Sequence, residues 1–293
     1  MAGNENIIEK VAYNKLKEYL ITIVGLNVDG YRPEYFQRRL GIRMRGVNMK
    51  SYSEYLRFLR ANSQETKLLL NDLTINYTSF FRDTDVYDFL RKTVFPELLI
   101  SKSLRIWSAG CATGEEPYSL SILLHELLKE KIQNYFITIH ASDVDRDALE
   151  KAGKGQYPKS QVHGLSAEVV SKYFSREGEN FTVKEFVKKP IRFGIHDLMK
   201  PFLHTNLDLI LCRNVMIYFT REGQQQVHMN FFRGLRDGGF MVIGKAEMLS
   251  GEPAAKFATV DMKCRVYRKP ARSLSFEPSV MTAATDERQI RVH

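Results

Sequence analysis

The sequence predicts an α/β protein in which a mostly parallel sheet domain carries a small antiparallel β insertion and follows a small all-helical domain. Three observations predict it. Up to about Ser79 apolar residues recur three or four apart; from Leu104 short apolar runs alternate with helical periods; and Tyr173 to Phe193 breaks that alternation with short β-like runs around Gly178. With 293 residues, 44% of them hydrophobic, the chain is long enough for two unequal domains, placed at 1–80 and 81–270.

The elements follow in order. "YNKLKEYLITIVGLNV", "RPEYFQRRLGIRM" and "SYSEYLRFLRAN" are helical, with Ser51 and Glu54 spaced as a capping box, and Asn62 with Glu65 starts "QETKLLLNDLTI". A helix at "DTDVYDFLRKTVFPELL" leads into the strands "LRIWSAG", "YFITIHASD", "LDLILCRN" and "GGFMVIGK", with "KCRVYRK" as a late one. Helices fit between them at "EPYSLSILLHELLKE", "DRDALEKAGKG" and "REGQQQVHMNFFRGLRD". The insertion spans about 173–193, and the polar, aperiodic tail 271–293 is expected to be disordered.

No apolar run reaches the roughly 18 residues of a bilayer span, and "MAGNENIIEK" lacks the pattern of a secretory signal, so a cytoplasmic protein without membrane insertion is expected. Cys111, Cys212 and Cys264 form no C-x-x-C pair and read as reduced. The seven histidines show no ligand spacing such as H-x-x-x-H, so no metal is expected. The net charge of +9 is concentrated: between Arg32 and Arg60 eight basic residues, among them Arg38, Arg39 and Arg43, face only Glu34 and Glu54. That run is either a solvated helix face or a docking surface for an acidic partner.

The chemistry lies in the loops. In "IWSAGCATGEEPYSL" an apolar strand, a Gly turn and a helix put backbone N–H groups at the carboxyl edge of the sheet, where open α/β folds bind ligands. Gly110 to Gly114 is neither a dinucleotide nor a nucleoside-triphosphate loop, and Glu115 and Glu116 at the helix start disfavour phosphate and favour a cation. The next strand ends in "ASDVD", where Asp143 is suited to both hydroxyls of a ribose. A positively charged nucleoside with an amino-acid end satisfies both loops, and S-adenosylmethionine is the common cofactor of that description.

Four longer stretches carry a resemblance: "LTINYTSFFRD", "WSAGCATGEEPYS", "ASDVDRDALEKAGKGQY" and "LILCRNVMIYF". They resemble the CheR family, the chemotaxis receptor glutamate methyltransferases, and the similarity runs from the helical domain to about Pro270. The resemblance implies a Rossmann-like S-adenosylmethionine-dependent methyltransferase sheet. It also implies methyl transfer to the γ-carboxylate of glutamates on the cytoplasmic helices of chemotaxis receptors, giving the methyl ester and S-adenosylhomocysteine. It further implies cofactor contacts from Asn76, Thr78, Arg82, Glu116, Asp143, Asp197, Leu198, Arg213 and Asn214, with Glu115 still an alternative to Glu116. Asp197 stands where relatives often have Asn, and Lys245-Ala246 where they usually have His-Ser. Arg82 and Tyr218 are the candidates for holding the incoming carboxylate, although Tyr218 also suits a core aromatic and Arg82 a junction ion pair. Arg38, Arg39 and Arg43 become candidates for docking acidic receptor helices, and a monomer is expected.

In many relatives the insertion docks a receptor's C-terminal peptide; with a short insertion and one glycine before its second run, a plain cap on the sheet is an equal reading here. A nucleic-acid methyltransferase is disfavoured because "CRNVMIYF" lacks the Asn/Asp-Pro-Pro-aromatic loop of the amino-methylating enzymes, and aromatics do not interleave the basic run. A non-catalytic module that senses the cofactor or scaffolds receptors is the rival within the same family.

Overall fold

A computed structural model describes residues 2–271, so the tail expected to be disordered lies outside the described residues from 272 onward. Four helices open the chain: α1 (Ala2–Tyr19), α2 (Pro33–Gly46), α3 (Tyr52–Ala61) and α4 (Ser63–Leu73). A π turn, Leu20–Val24, extends α1 until Gly25, at φ +84°, ends it. The Ser51 hydroxyl accepts from Glu54 N at 3.2 Å, but the Glu54 carboxylate reaches back to Lys50 N rather than to Ser51. The Asn62 side chain accepts from Gln64 N and Glu65 N and starts α4. Leu16, Leu20, Phe36, Leu40, Tyr55, Leu59, Leu69 and Leu73 form the core of this domain, and Val144 of the sheet domain packs against it.

The rest of the chain runs through α5 (Thr84–Phe89), α6 (Phe95–Leu98), β1 (Ser103–Ala109), α7 (Glu115–Leu128), β2 (Phe136–Asp143) and α8 (Arg146–Lys154). Then come β3 (Gln156–Pro158), α9 (Lys159–Val162), α10 (Ala167–Tyr173), β4 (Phe174–Glu177), β5 (Asn180–Val183), α11 (Glu185–Lys188) and β6 (Ile191–Ile195). The last elements are β7 (Leu207–Cys212), α12 (Arg221–Gly234), β8 (Leu235–Ile243), α13 (Glu252–Lys256), β9 (Ala258–Asp261) and β10 (Val266–Arg268).

Seven strands form one sheet in the order β6-β2-β1-β7-β8-β10-β9. The first five are parallel and the last two antiparallel. Strand residues alternate between two buried faces: Leu104, Ile106, Leu209 and Leu211 enter one core, and Trp107, Ala109, Ile210 and Cys212 the other. The chain leaves β1 towards β2 and β6, then returns to place β7 on the other side of β1. The carboxyl ends of β1 and β7 therefore flank the switch point at which such sheets leave a crevice.

Two expectations need correction. The antiparallel sheet, order β3-β5-β4, includes Gln156–Pro158, well before the predicted 173–193 span. Conversely, Ile191–Phe193 belongs to β6, which pairs in parallel with β2 at the edge of the main sheet. Ile191, Phe193 and Ile195 alternate as a strand should, but the parallel partner Ile139–Asp143 lies far back in the sequence, so nothing local separates this strand from the insertion before it. Arg43, one of the three docking candidates, is engaged within the helical domain. Its guanidinium forks onto Glu65, Nε to Oε1 at 3.0 Å and Nη2 to Oε2 at 2.6 Å, with Tyr55 Oη donating to the same carboxylate at 2.8 Å. Glu65 is only 3% exposed, so the charge of Arg43 is spent inside the helical domain.

His228 on α12 is 1% exposed, and neither ring nitrogen has a hydrogen-bond partner among the described residues. Burial lowers its pKa from 6.5 to about 4. The unfolded chain binds the proton first, so stability is lost as pH falls from about 6.5 towards 4, by about 2 kcal/mol at pH 5. Urea unfolding at pH 7 and pH 5 should show that His228→Leu loses correspondingly less stability than the wild type. Equal losses would mean that His228 does not titrate against burial.

Candidate functional site

The loop after β1 is drawn onto the end of β2 by its own backbone. Gly110 N and Cys111 N donate to Ser142 O at 2.8 and 3.0 Å, and Ala112 N donates to Asp143 Oδ2 at 2.9 Å. At Gly110, φ is +75° and a Cβ would lie 2.6 Å from Val215 Cγ2, so only glycine lets the β7 loop approach this closely. Asp143 is buried, and its other oxygen accepts from Asp145 N at 3.0 Å. Burial raises its carboxyl pKa, opposed by the two amide hydrogen bonds.

Two cavities of about 590 and 430 Å³ meet at this edge, sharing Ile75, Gly110, Ala112, Asn214 and Val215. The first is lined by Asn76, Asp143, Asp197, Leu198 and Tyr218, the second by Thr78, Arg82, Glu116 and Arg213, with Asn214 at both. All ten residues predicted from sequence for the cofactor pocket or the acceptor thus converge on one crevice. The two adjacent acids are placed differently. Glu116 lines the second cavity and accepts from Ser108 Oγ at 2.8 Å, whereas Glu115 is fully buried and accepts from Thr113 Oγ1 at 2.7 Å. Burial raises the pKa of Glu116, while Arg213, whose Nη1 lies 3.9 Å from Oε2, lowers it.

Several of these side chains also hold the walls together. Arg213 is buried; it forms an ion pair with Asp83 and donates to Arg82 O at 2.8 Å, fastening the Arg82–Asp83 segment. Arg82 itself donates to Tyr77 O at 3.0 Å and lies 5.4 Å from the centre of the exposed Tyr77 ring, with no ion pair among the described residues. Asn76 donates to Asp145 Oδ2 at 2.6 Å. Asp197 accepts Met199 N at 2.9 Å on one oxygen and Asn27 N, from the helical domain, at 3.0 Å on the other. The two amides reach different oxygens of Asp197, and in Asn one of those oxygens would be an NH2 group facing a backbone N–H. Tyr218 sits on a 3₁₀ turn, half-buried, with its ring 4.8 Å from that of Tyr35 on α2.

Sequence reasoning missed Tyr31 and Asp145. Tyr31 brings an aromatic wall from the helical domain to the first cavity, paired with Phe219 through an isolated bridge and a ring stack at 4.6 Å. Nothing local signals that contact, because its partner lies far along the chain. Asp145 had a signal, since an acid just before "RDALEK" is a helix N-cap; it accepts from Asp147 N and Ala148 N at 2.9 and 3.1 Å.

The crevice combines an acid at a strand end, a second acid beside a guanidinium, and a Gly loop. It suits a nucleoside with a zwitterionic amino-acid arm. Arg213 Nε and Asn214 Oδ1, buried in its walls, have no hydrogen-bond partner among the described residues. Burial pushes the Cys111 thiol well up, so the loop cysteine is no thiolate nucleophile.

Comparison with known proteins agrees with this geometry. The family model described as CheR methyltransferase, SAM binding domain, matches residues 76–266, and that described as CheR methyltransferase, all-alpha domain, matches residues 12–74. A chemotaxis protein methyltransferase of Listeria monocytogenes is 32% identical over 240 residues, covering 81% of this chain and 90% of the relative. One of Borreliella burgdorferi is 31% identical over 261 residues, covering 85% and 92%. Chemotaxis protein methyltransferase 2 of Vibrio cholerae is 28% identical over 285 residues, covering 94% and 99%. A helical domain and a sheet domain matched in turn, around a crevice built for a sulfonium nucleoside, show that the chain belongs to the CheR family of S-adenosylmethionine-dependent chemotaxis methyltransferases.

Proposed function

We propose that the chain methylates the γ-carboxylate of glutamates on the cytoplasmic helices of chemotaxis receptors, producing glutamate methyl esters. One observation carries this reading: the groups around the open side of the crevice are donors and cations suited to an anion. Arg82 is unpaired with any carboxylate among the described residues. Tyr218 lies within the field of Arg39, Arg82 and Arg38, opposed by Glu247, and Tyr35, against which Tyr218 packs, has the Arg39 and Arg38 guanidinium groups 5.6 and 5.9 Å from its ring centre.

S-adenosylmethionine, when bound, supplies a methyl group on a positively charged sulfur. Asp143 would hold its ribose hydroxyls and Glu116 its amino group, with Asn76, Thr78, Asp197, Leu198, Arg213 and Asn214 completing the pocket. The acceptor needs no general base, because a glutamate with a pKa near 4.3 is ionised at neutral pH. The task left to the protein is alignment and exclusion of water, so that neutralising charges meet without solvent between them. Arg82 orients the carboxylate and the Tyr218 phenol donates one hydrogen bond. Burial raises the Tyr218 pKa, which keeps the proton on the phenol oxygen at neutral pH.

Incubation with labelled methyl donor and receptor-containing membranes tests the reading: base-labile label on receptor supports it, and bound cofactor without transfer supports a sensing or scaffolding module. Arg82→Ala should lower kcat/KM about 10²-fold with the thermal midpoint nearly unmoved; unaltered turnover removes Arg82 from the mechanism. Reversing Arg38 and Arg39 to Glu should raise the KM for receptor about tenfold and change its salt dependence while leaving cofactor affinity in place. Identical kinetics across ionic strength would return both arginines to a solvated face.

A further inference from the structure

The turn that presents Asn214 and Tyr218 is anchored from behind by a carboxylate that has no place in the reading above. Glu247, 5% exposed, accepts Met216 N on Oε1 at 2.7 Å and both Gly244 N and Asn214 N on Oε2 at 2.5 and 3.2 Å. Three N–H donors aimed at two oxygens match an ionised carboxylate and no neutral side chain of the same length. The approach is close enough to exclude any larger residue at Gly244, where a Cβ would lie 2.7 Å from both Asn214 N and Glu247 Oε2.

The turn needs such an anchor. Asn214 has φ +61°, in the left-handed region that non-glycine residues avoid, and its amide and that of Met216 lie outside the ladder of β7. From the other side, Gln224 Nε2 donates to Met216 O at 2.8 Å and to Phe219 O at 3.3 Å. Carboxylate and carboxamide thus grip opposite edges of Asn214–Phe219.

We infer that Glu247 is a positioning residue for methyl transfer: through the amides of Asn214 and Met216 it holds the turn that sets Tyr218 against the incoming carboxylate. The inference rests on the reading of Tyr218 above. In Glu247→Gln one acceptor oxygen becomes an NH2 group facing a backbone N–H in either orientation, so the turn is released while volume is conserved.

A double-mutant cycle of Glu247→Gln and Tyr218→Phe, with kcat and KM measured on receptor membranes, tests it. The expected result is a fall in kcat of about 10²-fold for Glu247→Gln, with some rise in KM for S-adenosylmethionine through Asn214, and little further loss in kcat when Tyr218→Phe is added. Additive losses, or a loss confined to thermal stability and active fraction, would overturn the positioning role while leaving that of Tyr218 standing. A silent Tyr218→Phe would overturn both. If Glu247→Gln does not fold, Glu247→Asp, which keeps the charge but shortens its reach, enters the same cycle with the same expectations.

Discussion

The crevice depends on one buried carboxylate that belongs to neither wall alone. Asp145, 1% exposed, caps α8 with one oxygen, accepts Thr74 Oγ1 and Asn76 Nδ2 with the other, and donates its own amide to Asp143. It thereby ties the chain leaving the helical domain to the acid at the end of β2. Each bond is modest, but a buried carboxylate stripped of these donors would carry a heavy desolvation cost. The network is therefore held as a unit, and the position of Asp143 is inseparable from the path of residues 74–76.

The same economy recurs across the site. Arg213 balances Asp83 and faces Glu116, so one guanidinium stabilises the segment carrying Arg82 and moderates an acid in the cavity wall. Asp197 serves two amides from two domains. Arg43, by contrast, is engaged by Glu65 far from the cavity, which divides the basic run of α2 into an internally paired member, the exposed Arg38 and the half-buried Arg39. Sequence alone lists these arginines as equivalent; burial of the partner makes them different.

What sequence reveals follows from the range of the interaction. The central strands and the Gly loop were legible because their signals are local: an apolar run such as "LDLILC", a Gly turn that lets the backbone approach, an acid at a strand end. The sheet to which β6 belongs was not, because its alternation says strand but not which partner, and β3 was not, because three residues make no pattern. The resemblance supplied Asn76, Thr78 and Arg213 as a set, but not that Asn76 and Arg213 are engaged with Asp145 and Asp83. Tyr31 illustrates the limit most clearly, since its place in the cavity wall comes from a bridge to Phe219, far along the chain.

The contacts of the Gly25–Tyr35 region bear on how separable the two matched segments are. Asn27 caps the Asp197 loop, Thr220 N donates to Gly30 O, and Arg32 N donates to Tyr218 O, so the all-helical segment supplies finished pieces of the cavity. The sheet portion is accordingly no free-standing catalytic module. A chimera that exchanges helical segments between relatives to redirect partner choice would also exchange part of the nucleoside pocket, coupling recognition to cofactor affinity in a way that a map of two abutting domains does not suggest.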